Sequence, residues 1–81
     1  MGNVMPEFAS DAITRIEHDP FSSTLYVWFR GGTVRYAYEG VPQFVYRRFC
    51  NAISKGAFFQ RHIRARYDLI EKWDEFDQSA A

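Results

Sequence analysis

The sequence of 81 residues contains one cysteine, three prolines and no long apolar run. A single thiol, Cys50, cannot build an intrachain disulfide framework. No stretch reaches the ~20 apolar residues that span a bilayer. The N-terminus also lacks the basic and apolar regions of a signal peptide. We therefore expect a cytoplasmic protein that does not enter a membrane.

Patterns that carry catalysis or bind metals are scarce as well. His18, His62 and Cys50 do not have the spacing of metal ligands. No nucleophile–base pair, glycine-rich phosphate loop or carboxylate couple is recognisable. We expect no catalytic residue, no metal site and no cofactor, and therefore a binding module and not an enzyme.

The formal net charge is zero, but the charges are segregated along the chain. Residues 30–66 hold eight of the ten Lys and Arg residues and only one of the ten acids, Glu39. The first 29 residues and the last 15 are both acidic. Seven aromatic residues are interleaved with the central cations. Cations for phosphates and rings for bases favour nucleic-acid binding, although a small aromatic core with a solvated charged rim has the same composition.

The first half of the chain predicts three strands after an arm at residues 1–9. The β-branched segment 12–18 predicts the first, and the spacing of Ile13 and Ile16 indicates a bulge or an edge position. Residues 25–30 and 33–38 flank Gly31-Gly32, which predicts a β-hairpin with a two-residue turn. In that register Trp28 opposes Arg35.

The hairpin register divides the side chains between two faces. The face expected in the core carries Leu25, Val27, Phe29, Val34, Tyr36 and Tyr38. The face expected to be open carries Tyr26, Trp28, Arg30, Thr33, Arg35 and Ala37. We expect Trp28 to be more accessible than an average tryptophan and to lie beside Arg35. The open face would hold an internal cation–π pair, a protein partner or nucleic acid.

Two helices are predicted after the hairpin. Val41-Pro42 begins the first, and Gly56 is its expected C′ residue. The second begins near Ala57, and apolar periodicity from Phe58 to Phe76 favours one helix of ~20 residues. Its distal apolar residues exceed what the small core can cover, which predicts a homodimer interface. That interface set is Leu69, Ile70, Trp73 and Phe76.

A series of short motifs runs in order through residues 10–67. They are Ala12-Ile13 with Ile16, Leu25 to Phe29, Gly32, Tyr36-x-Tyr38, Val41-Pro42, Val45-Tyr46, Ala52, Ser54, Gly56 and Phe59-x-x-His62-Ile63-Arg64-x-x-Tyr67. Together they resemble the KTSC domain, a family named for its occurrence at the C-terminus of some lysyl-tRNA synthetases. The resemblance implies a β-β-β-α-α order and no catalytic residues, and an RNA-binding role has been suggested for the family.

We therefore predict an α+β domain at residues 10–67, in which a three-stranded antiparallel meander is followed by two α-helices packed on one face. Residues 68–81 are predicted to be a helical acidic extension. The expected function is noncatalytic nucleic-acid binding, with RNA slightly favoured over DNA; the alternative is protein–protein interaction or dimerisation. The candidate nucleic-acid-binding residues are Trp28, Arg30, Arg35, Phe44, Arg47, Arg48, Arg61 and Arg64.

Overall fold

One antiparallel sheet and a short helical region make up the part of the chain that the computed structural model describes, residues 12–74. The strands are β1 (Ile13–Asp19), β2 (Thr24–Phe29), β3 (Val34–Tyr38) and β4 (Leu69–Asp74), in the spatial order β1-β2-β3-β4. Helix α1 is Gln43–Asn51; α2 is Lys55–Phe58 and continues as the π-helical segment Phe59–Arg64. The α+β class is confirmed, but the sheet has four strands instead of three.

The β2–β3 hairpin has the predicted register. Trp28 pairs with Arg35 and Leu25 pairs with Tyr38. Gly31 has a φ of 78°, a conformation in which glycine avoids the clash of a Cβ atom. The Gly32 N–H donates to the Phe29 carbonyl at 3.1 Å and closes the turn. This bond spans Phe29 to Gly32, and the strands end at Phe29 and resume at Val34, so the predicted two-residue turn at Gly31-Gly32 is wrong. The local turn signal was nevertheless sufficient to predict which residues pair.

The bulge expected in β1 is also present. The pairing with β2 shifts between Ile13 and Arg15, so that Ile13 lies opposite Phe29 and Ile16 lies opposite Val27. This shift places two isoleucines, three positions apart in sequence, on the face of the sheet that packs against the helices.

The core lies between that face of the sheet and the helical region. Leu25, Val27 and Val41 are fully buried together with Phe49 of α1 and Ile63 of the π-helical segment. Each such side chain contributes roughly 1.5–3 kcal/mol by leaving water. The faces of the hairpin were thus predicted correctly on this side.

Helix α1 is shorter than predicted, because the backbone becomes extended at Ala52 (φ −69°, ψ 139°). Ser54 then begins α2, and its hydroxyl accepts a hydrogen bond from the Ala57 N–H at 3.2 Å. Gly56 therefore lies inside α2, and its prediction as the residue that ends the first helix is wrong. The break also removes Ile53 from the apolar stripe and leaves it 89% exposed.

The single long helix predicted from Ala57 to Phe76 is wrong. The helical backbone ends after Arg64, and residues 69–74 form β4 along the edge of β3. An uncovered edge of β3 would leave a row of unpaired N–H and C=O groups, and β4 satisfies them. The predicted helical extension is therefore a strand over Leu69–Asp74, while Phe76 lies outside the described residues.

No helix within residues 12–74 is long and apolar enough to cross a bilayer.

Candidate functional site

The face of the sheet that points away from the helices carries a row of alternating cations and rings. Strand pairing places Arg15, Trp28, Arg35 and Trp73 side by side across all four strands. The Arg15 guanidinium lies 4.6 Å from the Trp28 ring centroid and also binds the Glu17 carboxylate. Trp28 is only 9% exposed, so the prediction that it is unusually accessible is wrong.

Arg35 is held between two rings on this face. Its guanidinium lies 4.7 Å from the Tyr26 ring centroid and 5.2 Å from that of Trp73. It also forms an ion pair with Glu71 at 3.2 Å. Its Nε is buried and has no hydrogen-bond partner within residues 12–74. The positive charge is therefore compensated within the sheet by a carboxylate and two ring faces.

On the helical side of the molecule, unlike on the sheet face, the positive charges have no carboxylate partners within residues 12–74. No Asp or Glu occurs between Glu39 and Asp68. Five exposed arginines occur in this interval, and within residues 12–74 none of them forms an ion pair. They are Arg47, Arg48, Arg61, Arg64 and Arg66. Their charges remain available to an anionic partner.

Phe44 lies among these cations on the exposed side of α1, as predicted, and is 56% exposed. It borders a shallow groove of about 140 Å³, which we call the Phe44 groove. Its lining residues are Phe44, Val45, Arg48, Phe58, His62, Arg66 and Tyr67. The His62 ring packs against Phe58 with centroids 4.6 Å apart. The groove therefore combines aromatic rings with the guanidinium groups of Arg48 and Arg66.

A larger cavity of about 360 Å³ lies on the other flank of the π-helical segment. We call it the tyrosine pocket; it is lined by Phe29, Tyr36, Tyr38, Phe59, Gln60, Arg64 and Leu69. Three edge-to-face contacts join its four rings, with centroids 5.2–5.6 Å apart. The Arg64 Nη1 donates to the Gln60 side-chain oxygen at 3.4 Å. The pocket therefore combines an apolar wall with a polar, cationic rim.

Tyr38 connects the pocket wall to the core. Burial raises the pKa of its hydroxyl above the usual value of 10.0, while the positive charge of Arg64 lowers it and Tyr36 raises it. The hydroxyl therefore remains protonated at neutral pH and is available as a hydrogen-bond donor.

The predicted site residues are divided between two surfaces. Trp28 and Arg35 lie on the sheet face, and Arg30 lies in the adjoining turn, where its N–H donates to the Ala12 carbonyl. Phe44, Arg47, Arg48, Arg61 and Arg64 lie in the helical region. Of the predicted interface set, Leu69 lines the tyrosine pocket, Trp73 joins the sheet-face row, and Ile70 occupies the irregular position where the β3–β4 register shifts.

Sequence reasoning missed Gln60 and Phe59 as pocket residues and placed Leu69 on a helix. The motif Tyr36-x-Tyr38 could have indicated the pocket, because the hairpin register places both tyrosines on the same face of the sheet. Within residues 12–74, no group of three or more His, Cys, Asp or Glu side chains is arranged to hold a metal ion.

Comparison with known proteins agrees with the fold. The sequence profile of the KTSC domain matches residues 9–67. The crystal structure of a KTSC domain protein from Yersinia pestis is similar, with 34% identity and a TM-score of 0.70, over 76% of this chain and 86% of that one. No curated protein matches the sequence significantly. Strand β4 lies beyond the profile match but completes the sheet. On these observations, the chain belongs to the KTSC domain family.

Proposed function

We propose that this protein is a noncatalytic nucleic-acid-binding module whose binding surface is its helical side. The observation that carries the proposal is the set of five exposed arginines without carboxylate partners within residues 12–74. Unpaired arginines bind phosphates through charge-assisted hydrogen bonds and release counterions from the nucleic acid. Phe44 adds an exposed ring on which a base can stack.

The sheet face is assigned a structural role in this proposal. Arg15 and Arg35 are already paired with Glu17 and Glu71. A phosphate would have to compete with carboxylates that lie within the same sheet. Trp28, with one face covered by Arg15, offers little ring surface to a base. We therefore expect nucleic acid to bind Arg47 and Arg48 in preference to Arg35.

Single-stranded RNA is the polymer we favour. Rings such as Phe44 stack on splayed bases, and single strands present such bases. The origin of the family name in lysyl-tRNA synthetases is a further, weaker reason. Neither the family profile nor the Yersinia pestis structure connects this chain with a synthetase. The cytoplasm remains the compartment that we propose.

The salt dependence of binding tests this surface. For single strands, the slope of log K against log salt concentration is about −0.7 per phosphate contacted. Replacing both arginines in an Arg47→Gln/Arg48→Gln variant should therefore reduce the slope by about 1.4 units. An Arg15→Gln/Arg35→Gln variant removes the same formal charge from the sheet face and should change the slope far less. Equal changes in the two variants would contradict the proposed location.

A second candidate function is self-association through β4. This strand is at the edge of the sheet, and its outer backbone groups are not covered by a further strand within residues 12–74. Ile70 on this edge is 52% exposed, and Leu69 and Trp73 beside it are also exposed. Edge strands with exposed apolar residues can pair with the same strand of another copy. This arrangement replaces the helical interface expected from the sequence.

A further inference from the structure

The tyrosine pocket has the features of a ligand site and not only of a packing defect. Its volume of about 360 Å³ falls at the small end of the range of ligand pockets, roughly 300–1,000 Å³. Such sites combine apolar walls with a few convergent polar groups. Here the partly exposed rings of Phe29 and Tyr36 line the cavity beside the buried rings of Tyr38 and Phe59, and the side chains of Gln60 and Arg64 meet at the rim.

The backbone around the pocket is unusual. Residues 59–64 are π-helical, and π-helical turns are rare and recur at functional sites. Because i→i+5 hydrogen bonding widens the turn, Phe59 and Arg64 can share one flank although they are five residues apart. Both residues line the pocket. The widened turn therefore places an apolar ring and a cation in the same cavity.

The charges of the pocket restrict the kind of ligand. Among the described residues 12–74, Arg64 is the only charged residue in the lining, and there its side chain donates only to the neutral amide of Gln60. No carboxylate of residues 12–74 lines the pocket. Lys72 of β4 adds a second cation nearby, with its Nζ 5.8 Å from the Tyr36 ring centroid. The site therefore fits a planar group attached to a negatively charged one.

We propose that the tyrosine pocket binds one nucleotide unit, with the base against the partly exposed rings of Phe29 and Tyr36 and the phosphate on Arg64. The choice of a nucleotide over other planar anions rests on the proposed function. The same chemistry has two possible sources, a free mononucleotide or one nucleotide of a single strand. Stacking of a base on aromatic side chains contributes about 1–3 kcal/mol. The guanidinium supplies a charge-assisted contact to the phosphate.

Nuclear magnetic resonance titration of the isotope-labelled full chain tests the site directly. The probes are adenosine 5′-monophosphate, ribose 5-phosphate and inorganic phosphate. We expect the nucleotide to shift the amide signals of Tyr36, Gln60 and Leu69, and we expect ribose 5-phosphate to shift them much less. Equal shifts from both sugar phosphates, or nucleotide shifts confined to α1, would overturn the proposal.

A matched pair of variants separates the pocket from general attraction of anions. Arg64→Gln should weaken nucleotide binding about tenfold or more. Arg61→Gln removes the same charge from an exposed arginine of the same segment that does not line the pocket, and it should weaken binding by less than about twofold. Equal losses in the two variants would show attraction by net charge and overturn the pocket assignment.

Two pocket variants, Arg64→Gln and Leu69→Trp, distinguish the pocket from the wider binding surface. Leu69 is partly exposed at the pocket wall, so Leu69→Trp should obstruct the cavity without disturbing the buried core. If RNA binding is lost in Arg47→Gln/Arg48→Gln, while both Arg64→Gln and Leu69→Trp bind RNA and adenosine 5′-monophosphate as the wild type does, the proposed function stands and the pocket proposal fails. If the pocket binds the mononucleotide but the protein binds no RNA, the pocket proposal stands and the proposed function fails.

Discussion

Arg35 and Trp73 are paired across β3 and β4, with the guanidinium carbon 5.2 Å from the ring centroid. The same guanidinium forms an ion pair with Glu71 at 3.2 Å. This relationship connects β4, which the sequence predicted to be helical, to an arginine that the sequence predicted to bind nucleic acid. Because β4 lies beside β3, the Arg35 guanidinium has a carboxylate and an aromatic partner within the sheet. A phosphate would have to compete with these partners.

We expect Arg35→Gln to reduce stability and to leave nucleic-acid affinity nearly unchanged. The cation–π contacts contribute about 0.5–2 kcal/mol. The partly exposed ion pair with Glu71 adds at most about 1 kcal/mol because solvent screens it. Urea unfolding and RNA titration of the same variant measure the two effects. A large loss of RNA affinity without loss of stability would return Arg35 to the binding surface.

Trp28→Ala is expected to be strongly destabilising, by about 3–5 kcal/mol, because the indole is almost completely buried. Urea unfolding monitored by circular dichroism measures the change. Phe21→Ala provides a control, since Phe21 is 99% exposed and its loss should change stability by less than about 0.5 kcal/mol. Similar small effects in both variants would contradict the burial of Trp28.

The hairpin was predictable because its information is local. Gly31-Gly32 marks the turn, and alternation along the flanking strands then determines which residues face the core. The location of β4 was not predictable in this way. Leu69, Ile70 and Trp73 have a spacing that fits a helical stripe, and the register shift beside Ile70 conceals the alternation of a strand. Residues 69–74 form a strand instead of a helix because they can pair with the otherwise open edge of β3.

For the candidate site too, the sequence predicted the features that depend on local pattern and not those that depend on β4. The exposed arginines of α1 could be identified from helical periodicity alone. The pairing of Arg35 with Glu71 could not, because it depends on β4. The tyrosine pocket brings Gln60 and Leu69 together from two elements that the sequence predicted as one continuous helix. Sequence reasoning therefore predicted the side chains of the helical surface but not the cavity beside it.

Self-association through β4 is expected to depend on Ile70. Ile70→Lys places a charge on the exposed edge and should keep the protein monomeric, because charged side chains oppose edge-to-edge pairing. Ile53→Lys is the matched control, since Ile53 is exposed in the loop between α1 and α2. Sedimentation velocity over a range of protein concentrations distinguishes the two. A wild-type protein that remains monomeric at every concentration would contradict the β4 interface.

Stability should fall at alkaline pH. Burial raises the pKa of Tyr38 in the folded state. The protonated hydroxyl therefore makes a contribution to folding stability that is fully present below the usual tyrosine pKa of about 10. This contribution is lost as pH rises through the raised folded-state value. Burial, followed by the Cys50 thiol, also raises the pKa of Tyr46. Urea unfolding above and below the usual tyrosine pKa should therefore show a smaller pH dependence in Tyr38→Phe, and an unchanged dependence would contradict this assignment.

Arg64 should influence the same titration. Its positive charge lowers the pKa of Tyr38, so Arg64→Gln should move tyrosinate formation to higher pH. Difference absorbance of tyrosinate, with Tyr38→Phe as a background, isolates this group. Arg61→Gln should produce a smaller change because Arg61 does not line the tyrosine pocket. A shift to lower pH in Arg64→Gln would contradict the electrostatic contact.

We expect the five arginines of the helical side that have no carboxylate partner within residues 12–74 to bind single-stranded nucleic acid. The most direct measurement is fluorescence anisotropy of a labelled single-stranded RNA, titrated with the full chain at two salt concentrations. We predict saturable binding that weakens as salt rises, with a slope of at least about −1.4 for two phosphate contacts. Absence of binding at the lower salt concentration, or an affinity that salt does not change, would contradict phosphate binding by these arginines.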